Sequence, residues 1–570
     1  MNSTVKPAQE SANHATPTTA WPPLPRAIYL AVILVLAATL LYGNFLHNPL
    51  VFDDGSLFDN IAVSYAGLLP YFSLRWFPYV SLGWTWSIAG LDMRWLRLGN
   101  LLLHTANTVV LFVFLRTLFD CVLPQKNTTQ NHYGLSTTWL AFFGALIFTL
   151  HPVAVYGVAY LIQRSILMAT LFSLLTWLTY LQGLIHSRQA WFVTAAACYF
   201  FAVFSKEHSI MVPAVALMLT FLIRKPSIAL VKQIAPVFIL FALIGGLVIL
   251  KSKGLLGSPY EPGAQELLVL LSESRGEISI NHAYFLSVLT QVFLFFKYWF
   301  LWIVPYPGWM SVDLREPFAA HLLVWPHMLG FIGFILYGVA GFRLLLIRGR
   351  KGLAGFAMLC PWLLFATELV SIRIQEPFVL YRSYLWMVGI FAALPLLLGK
   401  LAAKRSFLLL LSLALLMFPL SWNRLTTFTT PMLLWDDAEK VIHDKTGLPW
   451  SDRIYYNRGN AYAKLGLFEQ SIADYNKAIE IRPGVSQMHN NRGFAYFNQR
   501  KYVEALRDFD LTIQLDPDHA KAHVGRAMIH EMAKNYSAAI LDFKRSCELG
   551  LPLTCPKWQE LYQNLDGELR

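Results

Sequence analysis

Apolar residues run almost unbroken near 27–46, 98–118, 137–154, 159–184, 189–205, 208–223, 228–250, 324–347, 353–371, 384–399 and 406–422. Stretches of this length and composition predict helices that cross about 30 Å of hydrocarbon. A twelfth run, 284–304, is as apolar but carries Gln291 and Lys297 and stops at Pro305-Tyr306-Pro307-Gly308-Trp309. After Trp435 the long apolar runs end and polar residues return to ordinary frequency. The pattern therefore predicts an all-α chain: a polytopic bundle of about 11 spans followed by a soluble helical part.

That second part is periodic. Arg458-Gly459-Asn460-Ala461-Tyr462, Arg492-Gly493-Phe494-Ala495-Tyr496 and Arg526-Ala527 recur at one interval of 34 residues, as do Asp474-Tyr475, Asp508-Phe509 and Asp542-Phe543, and Pro483 and Pro517. A 34-residue period with small residues in one helix, an aromatic in the next and a closing proline resembles the tetratricopeptide repeat, an α-solenoid. Gly459 and Gly493 let paired helices approach, and the aromatic fills the space beside them. Three repeats over about 452–550, capped by the tail to Arg570, reach the usual minimum for a stable stack. Such a stack presents a concave binding surface, not a catalyst. Asn457, Asn491, Tyr462 and Tyr496 are groove candidates, with packing between helices the alternative for the tyrosines.

Charge separates the two parts further. The 570 residues are 56% hydrophobic and only 14% charged, with a net charge of +12. Soluble domains carry about 25% charged residues, which excludes a soluble globular enzyme and a disordered chain. Residues 435–570 hold 18 of the 46 Lys+Arg and 19 of the 34 Asp+Glu, so the basic excess lies wholly in the first 434 residues. No nucleic-acid partner is expected; membrane lipids and an anionic, lipid-borne substrate fit better. Five cysteines form no CxxC pair and no zinc spacing, and Cys547 and Cys555 either stay two unpaired thiols or, if the C-terminus sits in an oxidising compartment, bridge.

Basic clusters orient the bundle, because they mark cytoplasmic loops. With the N-terminus inside and 284–304 not crossing, Arg116/Lys126, Arg188, Arg224/Lys225, Arg348/Arg350/Lys351 and Lys400/Lys404/Arg405 all fall inside. If 284–304 crossed, the last two clusters would lie outside. The run is therefore read as an interfacial or re-entrant segment. The expected division is a disordered cytoplasmic tail (1–26), a transmembrane domain (27–425, opening with an uncleaved signal anchor and carrying outer loops 47–97 and 251–322), a linker (426–451) and outward-facing repeats (452–570). Most remaining charges then gather at helix ends on the outer face, the pattern of a functional site; Glu368 is the main acid near a span.

The most pointed feature is Phe52-Asp53-Asp54-Gly55, directly after the first span. With Asn60, Arg75, Asn100-Leu101-Leu102-Leu103-His104, His151-Pro152, Gln163-Arg164-Ser165, Ser205-Lys206-Glu207, Val312-Asp313 and Arg382-Ser383-Tyr384-Leu385, the order of motifs resembles the GT-C membrane glycosyltransferases, closest to the bacterial-type transmembrane and tetratricopeptide-repeat O-mannosyltransferase-like proteins. The resemblance covers about 45–550. It implies inverting transfer of a sugar or oligosaccharide from a polyprenyl-phosphate or pyrophosphate carrier to a hydroxyl, on a periplasmic protein acceptor or partner recruited by the repeats, at the bacterial inner membrane. Asp53 and Asp54 match the family's general base; the second acid either orients the first, binds a divalent cation such as Mg or Mn, or hydrogen-bonds the acceptor. Arg164, Lys206 and Arg382 match donor phosphate-binding positions, with Arg75 and Arg373 behind them. Glu207, Glu376, His151 and Tyr384 are supporting residues, and structural roles as helix-end His and charge-neutralising acids are the alternatives. The chain departs from the family pattern at Tyr156-Gly157, Leu380-Tyr381 and Trp386, so mannose is not carried over as the sugar. Two other classes remain open from sequence: a membrane-anchored repeat scaffold of an envelope complex, and a transporter of lipid-linked sugars.

Overall fold

The computed structural model describes residues 26–52, 54–56, 74–123, 134–252, 257–259, 282–443, 445, 448 and 450–569. Among them every element is helical, and the only extended pairings are the isolated bridges Pro259–Ile372 and Leu314–Phe378. Uniformly apolar runs leave the backbone no partner but itself, which selects helices.

The first part comprises α1 (Ala27–Tyr42), α2 (Trp76–Ala89), α3 (Met93–Val122), α4 (Thr137–Leu150), α5 (Pro152–Val158), α6 (Arg164–His186), α7 (Gln189–Ser205), α8 (Val212–Ile223), α9 (Ile228–Lys251), α10 (Ala283–Ile303), α11 (His327–Ile347), α12 (Gly349–Phe365) and α13 (Ala403–Thr427). Among the described residues nine helices are long and apolar enough to cross a membrane, or ten if the bent pair α4 and α5 is one span; Gln189–Ser205 and Glu207–Ile223 are apolar but shorter. All eleven runs expected to span are helical. The bend between α4 and α5 falls at His151-Pro152, where the proline has no N–H to donate and starts a new helix, capped by His151 Nδ1 accepting from the Val153 N–H (3.2 Å).

The twelfth run needs its own account. Ala283–Ile303 is a continuous helix, and by length and composition it qualifies as a span. Its contacts are spread along its length. At the N-terminal end Ala283 packs with Ile372 and Ile374, and Tyr284 donates to the Leu369 carbonyl. At the C-terminal end Trp302 donates through Nε1 to Ser383 Oγ (3.0 Å), and its carbonyl meets His151 Nε2 (3.1 Å). Between these ends Ser287 accepts from the Arg373 N–H, Gln291 donates to the Pro377 carbonyl and Tyr298 pairs with Val379, so the 369–383 segment runs alongside the helix. The break at Pro305–Trp309 follows, and Arg424 near the end of α13 donates to the Met310 carbonyl.

The second part follows α14 (Pro431–Ile442) as three helical hairpins: α15 (Asp452–Lys464) with α16 (Phe468–Ile481), α17 (Ser486–Asn498) with α18 (Tyr502–Leu515), and α19 (Ala520–Met532) with α20 (Tyr536–Glu548). In each, the periodic arginine of the first helix forks onto the periodic aspartate of the second: Arg458 onto Asp474, Arg492 onto Asp508 and Arg526 onto Asp542, with N–O distances of 2.7–2.9 Å. The glycines do what the period implies. A Cβ at Gly459 would lie 2.8 Å from the Tyr475 ring, and one at Gly493 2.9 Å from Phe509. A final helix, α21 (Cys555–Leu569), caps the stack and is bonded to α20 by the disulfide Cys547–Cys555.

Candidate functional site

Charged side chains converge at the bundle end where α6 begins and α7 ends. The α7 helix stops at Ser205, and Lys206 continues in extended backbone (φ −158°), which aims its side chain inward between α6 and the 372–383 segment. A cavity of about 150 Å³ lies there, lined by Arg75, Tyr79, Ile162, Gln163, Ser165, Lys206, His208, Arg373, Glu376, Tyr381 and Arg382. Four cations thus face one small space, with a single lining carboxylate.

Each cation is held in place. Lys206 Nζ donates to Gln163 Oε1 (3.2 Å) and sits 5.0 Å from the centre of the Tyr381 ring. Burial, together with the neighbouring Arg75, pulls its pKa down to about 7. Arg75 forks onto Glu207, through Nε (2.9 Å) and Nη2. Glu368, fully buried, is the hub behind the cavity: its carboxylate meets His208 Nε2 (2.8 Å), Arg382 Nη1 (3.2 Å) and Arg373 Nε (3.4 Å). Arg382 also donates to the Glu376 carbonyl (3.0 Å), with its Nη2 3.9 Å from the Glu376 carboxylate. Counting Glu207, Glu368 and Glu376 against Arg75, Lys206, Arg373 and Arg382 leaves one positive charge over. A buried surplus of that sign is suited to an anion with several acceptor oxygens, such as a phosphate or pyrophosphate.

Five of the residues expected from sequence, Arg75, Lys206, Arg373, Arg382 and Glu376, therefore line one cavity, with Glu207 beside it. Others stand elsewhere. Arg164 turns away: its guanidinium donates to Asn100 Oδ1 (3.0 Å), the Leu96 carbonyl and the hydroxyls of Ser81 and Thr85, and its tip lies against Gly99. It ties α6 to α2 and α3 and does not reach the cavity. His151 is a cap stacked on Trp302 (ring centroids 4.3 Å apart), and Tyr384 is a buried link between His104 Nδ1 (2.6 Å) and Asn107 (3.3 Å). Asp53 lies outside the described residues, as does Asn60.

Asp54 is fully buried and accepts from the backbone N–H of Ile162 (2.9 Å) and Val51 (3.3 Å), so it pins its loop to a residue of the cavity wall. Burial, against the pull of Arg97, pushes its pKa up to about 6. Arg97 itself is used on backbone carbonyls of Asn48 (2.8 Å), Ala159 (2.5 Å) and Pro49. Among the described residues no three His, Cys, Asp or Glu side chains are grouped so as to hold a metal ion.

A second layer comes from outside the bundle and was missed in the sequence. Arg453, at the start of the first repeat helix, reaches Asp313 Oδ2 (2.9 Å) and Glu376 Oε1 (2.7 Å) and lies 4.7 Å from the centre of the Phe52 ring. Asp313 is shared with Arg315 (2.6 Å). Burial works against both carboxylates, but Arg315 and Arg453 at Asp313, and Arg453 and Arg382 at Glu376, outweigh it and hold them below their ordinary range. Arg453 carries no motif that sets it apart from the other arginines of the repeats.

The family model of the tetratricopeptide repeat matches residues 453–484 and 486–519, so the C-terminal part of the chain carries these repeats. No curated protein matches the chain. Among solved structures it is similar to the first tetratricopeptide domain of Spaghetti (RPAP3) bound to an HSP90 peptide, at 25% identity over 20% of this chain and 93% of that one, with a TM-score of 0.20. It is also similar to MamA AMB-1, at 20% identity over 28% of this chain and 87% of that one, with a TM-score of 0.18.

Proposed function

We propose that the chain is a membrane glycosyltransferase of the GT-C type that moves a sugar or oligosaccharide from a polyprenyl phosphate or pyrophosphate to a hydroxyl on a periplasmic protein, with the repeats recruiting the acceptor or a partner. The observation that carries this reading is the cavity where Arg75, Lys206, Arg373 and Arg382 converge at one end of an apolar bundle. A lipid-borne phosphate needs both features at once: an apolar surface for its chain and buried cations for its head. In this mechanism the cations stabilise the charge that develops on the departing phosphate. Asp53 or Asp54 takes the acceptor proton as the anomeric carbon is attacked from the opposite side, which inverts it. A divalent cation, if used, would have to find its ligands in part among residues such as Asp53.

The proposed setting is a bacterial inner membrane with the N-terminus in the cytoplasm and the repeats in the periplasm. Its support is the placement of the basic clusters and the Cys547–Cys555 disulfide, which suits an oxidising compartment. A second reading, a non-enzymatic scaffold, is favoured by the repeat match alone, since such repeats serve protein interaction. Mass spectrometry of glycopeptides and lipid-linked sugars from a deletion strain separates the two. Loss of a glycan with accumulation of its lipid-linked donor supports the transferase, and an unchanged glycan and donor profile supports the scaffold. Asp53→Asn and Asp54→Asn, each expressed in that strain, then test the general base: full glycosylation by both variants removes that assignment.

A further inference from the structure

A second cavity, of about 670 Å³ against about 150 Å³ for the cationic one, opens between the end of α13, α14 and the Tyr306–Gly308 turn after α10. Four charges line it, and they cancel: Arg424 pairs with Asp437 (2.9 Å) and Lys440 with Asp436 (2.7 Å). The first pair is fixed, since Arg424 also donates to the Met310 carbonyl (2.7 Å) and to Asn423 Oδ1 (2.8 Å). The second is open to solvent, with the Lys440 side chain 71% exposed, and an exposed pair of this kind contributes little and exchanges partners readily. Arg458, 3.6 Å from Asp436, is already held by Glu439 and by the Asp474 fork. The neutral groups of the lining are of both kinds. Asn423 spends its Oδ1 on Arg424 and keeps an NH2 to donate, whereas Thr426 and Thr427 donate their hydroxyl protons to α13 carbonyls (2.6 and 2.7 Å) and keep lone pairs. The segments that lead into the cleft are apolar and exposed: Phe300, Ile303 and Val304 before Tyr306, and Leu413, Leu415 and Leu416 before Leu420. In a membrane these residues face acyl chains, so the cleft stands where chains end and polar heads begin.

A ligand for this place needs acyl chains beside the bundle and a head that is polar but neutral overall. An anionic head would meet Asp436 and Asp437, and a cationic one Arg424 and Lys440. We propose that the cleft seats phosphatidylethanolamine, with its phosphate on Lys440 and Asn423 and its ammonium on Asp436 and the threonine hydroxyls. The exposed Lys440–Asp436 pair opens around the zwitterion, each side chain exchanging one partner for another of the same sign, so no charge is left over. The ammonium decides the specificity. It donates three hydrogen bonds, whereas the trimethylammonium of phosphatidylcholine donates none and phosphatidylglycerol carries no cation. Asn423, Thr426 and Thr427 belong to α13, and Asp436 and Lys440 to α14, so the bound head ties the outer end of the bundle to the helix that leads into the first repeat.

The inference rests on the reading of the bundle as membrane-embedded and is independent of the transferase chemistry. Binding of dioleoyl phosphatidylethanolamine, phosphatidylcholine and phosphatidylglycerol to the full chain in detergent is measured by native mass spectrometry for the wild type, Asp436→Asn, Asp436→Glu and Lys440→Gln. The wild type is expected to bind phosphatidylethanolamine about tenfold more tightly than either other lipid. Asp436→Asn is expected to lose that preference and Asp436→Glu, which keeps the carboxylate, to retain it, while Lys440→Gln weakens phosphatidylethanolamine binding. Equal affinity of the wild type for the three lipids, tightest binding of phosphatidylglycerol, or an undiminished preference in Asp436→Asn would each overturn the proposal. Release of the chain from membranes by alkaline carbonate would instead remove the membrane reading, and this inference with it.

Discussion

At the scale of single residues, the site divides groups that look alike in sequence. Arg164 and Arg382 each stand at a helix start inside a motif, but Arg164 spends its donors on the Leu96 carbonyl, Asn100 and two hydroxyls, whereas Arg382 lines the cavity. Nothing local distinguishes them, since an arginine that ties helices together and one that waits for a ligand need the same flanking residues. Arg164→Ala should therefore lower stability, read as a lower thermal midpoint of the purified chain, while pyrophosphate binding by the folded fraction stays near wild type. The pH response is a second prediction. Lys206, with its pKa near 7, is an ammonium below that pH and loses its charge above it, so anion binding should weaken as pH rises through about 7. Lys206→Arg, whose guanidinium stays charged, should remove that dependence in a binding titration from pH 6 to 8.5. Asp54, near 6, is protonated below that pH; if it is the base, transfer should rise as pH increases through about 6.

Elements were more legible than side-chain roles, and for a physical reason. A long apolar run has one way to satisfy its backbone in a membrane, and a 34-residue period of small, acidic and aromatic positions has one way to stack, so both follow from pattern alone. Arg458, Arg492 and Arg526 share that period with Asp474, Asp508 and Asp542, but that each arginine forks onto its aspartate is seen only in the structure. Gly493→Val should clash with Phe509 and cost about 1–3 kcal/mol, lowering the urea midpoint for proteolytic release of the repeats. Gly484→Ala, with nothing within 4 Å of its Cβ, should leave it unchanged. The α10 helix was harder, because length and composition call it a span while the placement of the basic clusters reads it as interfacial. Single cysteines at His282 and Tyr306, in a chain lacking the native ones, should both react with a membrane-impermeant thiol reagent added from one side. Labelling of the two from opposite sides would make α10 a true span.

For the molecule as a whole, the sequence divides cleanly at about residue 435, yet the structure does not work as two pieces. Residues from both sides of that boundary meet at Phe52, Trp435, Asp313, Glu376 and Arg453. Contacts of this kind join residues 77 or more positions apart and leave no periodic trace, which is why Arg453 was invisible in the sequence and the repeats themselves were plain. Glu368 shows the same limit: it stands out as a lone acid near a span, but its three basic partners come from two separate segments. The central claim is that this end of the molecule uses its cations on a lipid-linked sugar. The measurement that tests it most directly is quantitative mass spectrometry of periplasmic glycopeptides and lipid-linked sugars in a deletion strain carrying the wild-type chain, Lys206→Gln or Arg382→Gln at equal membrane abundance. The account predicts that the wild type restores a glycan while both variants lose most of it and accumulate the lipid-linked donor; full restoration of the glycan by both variants would contradict it.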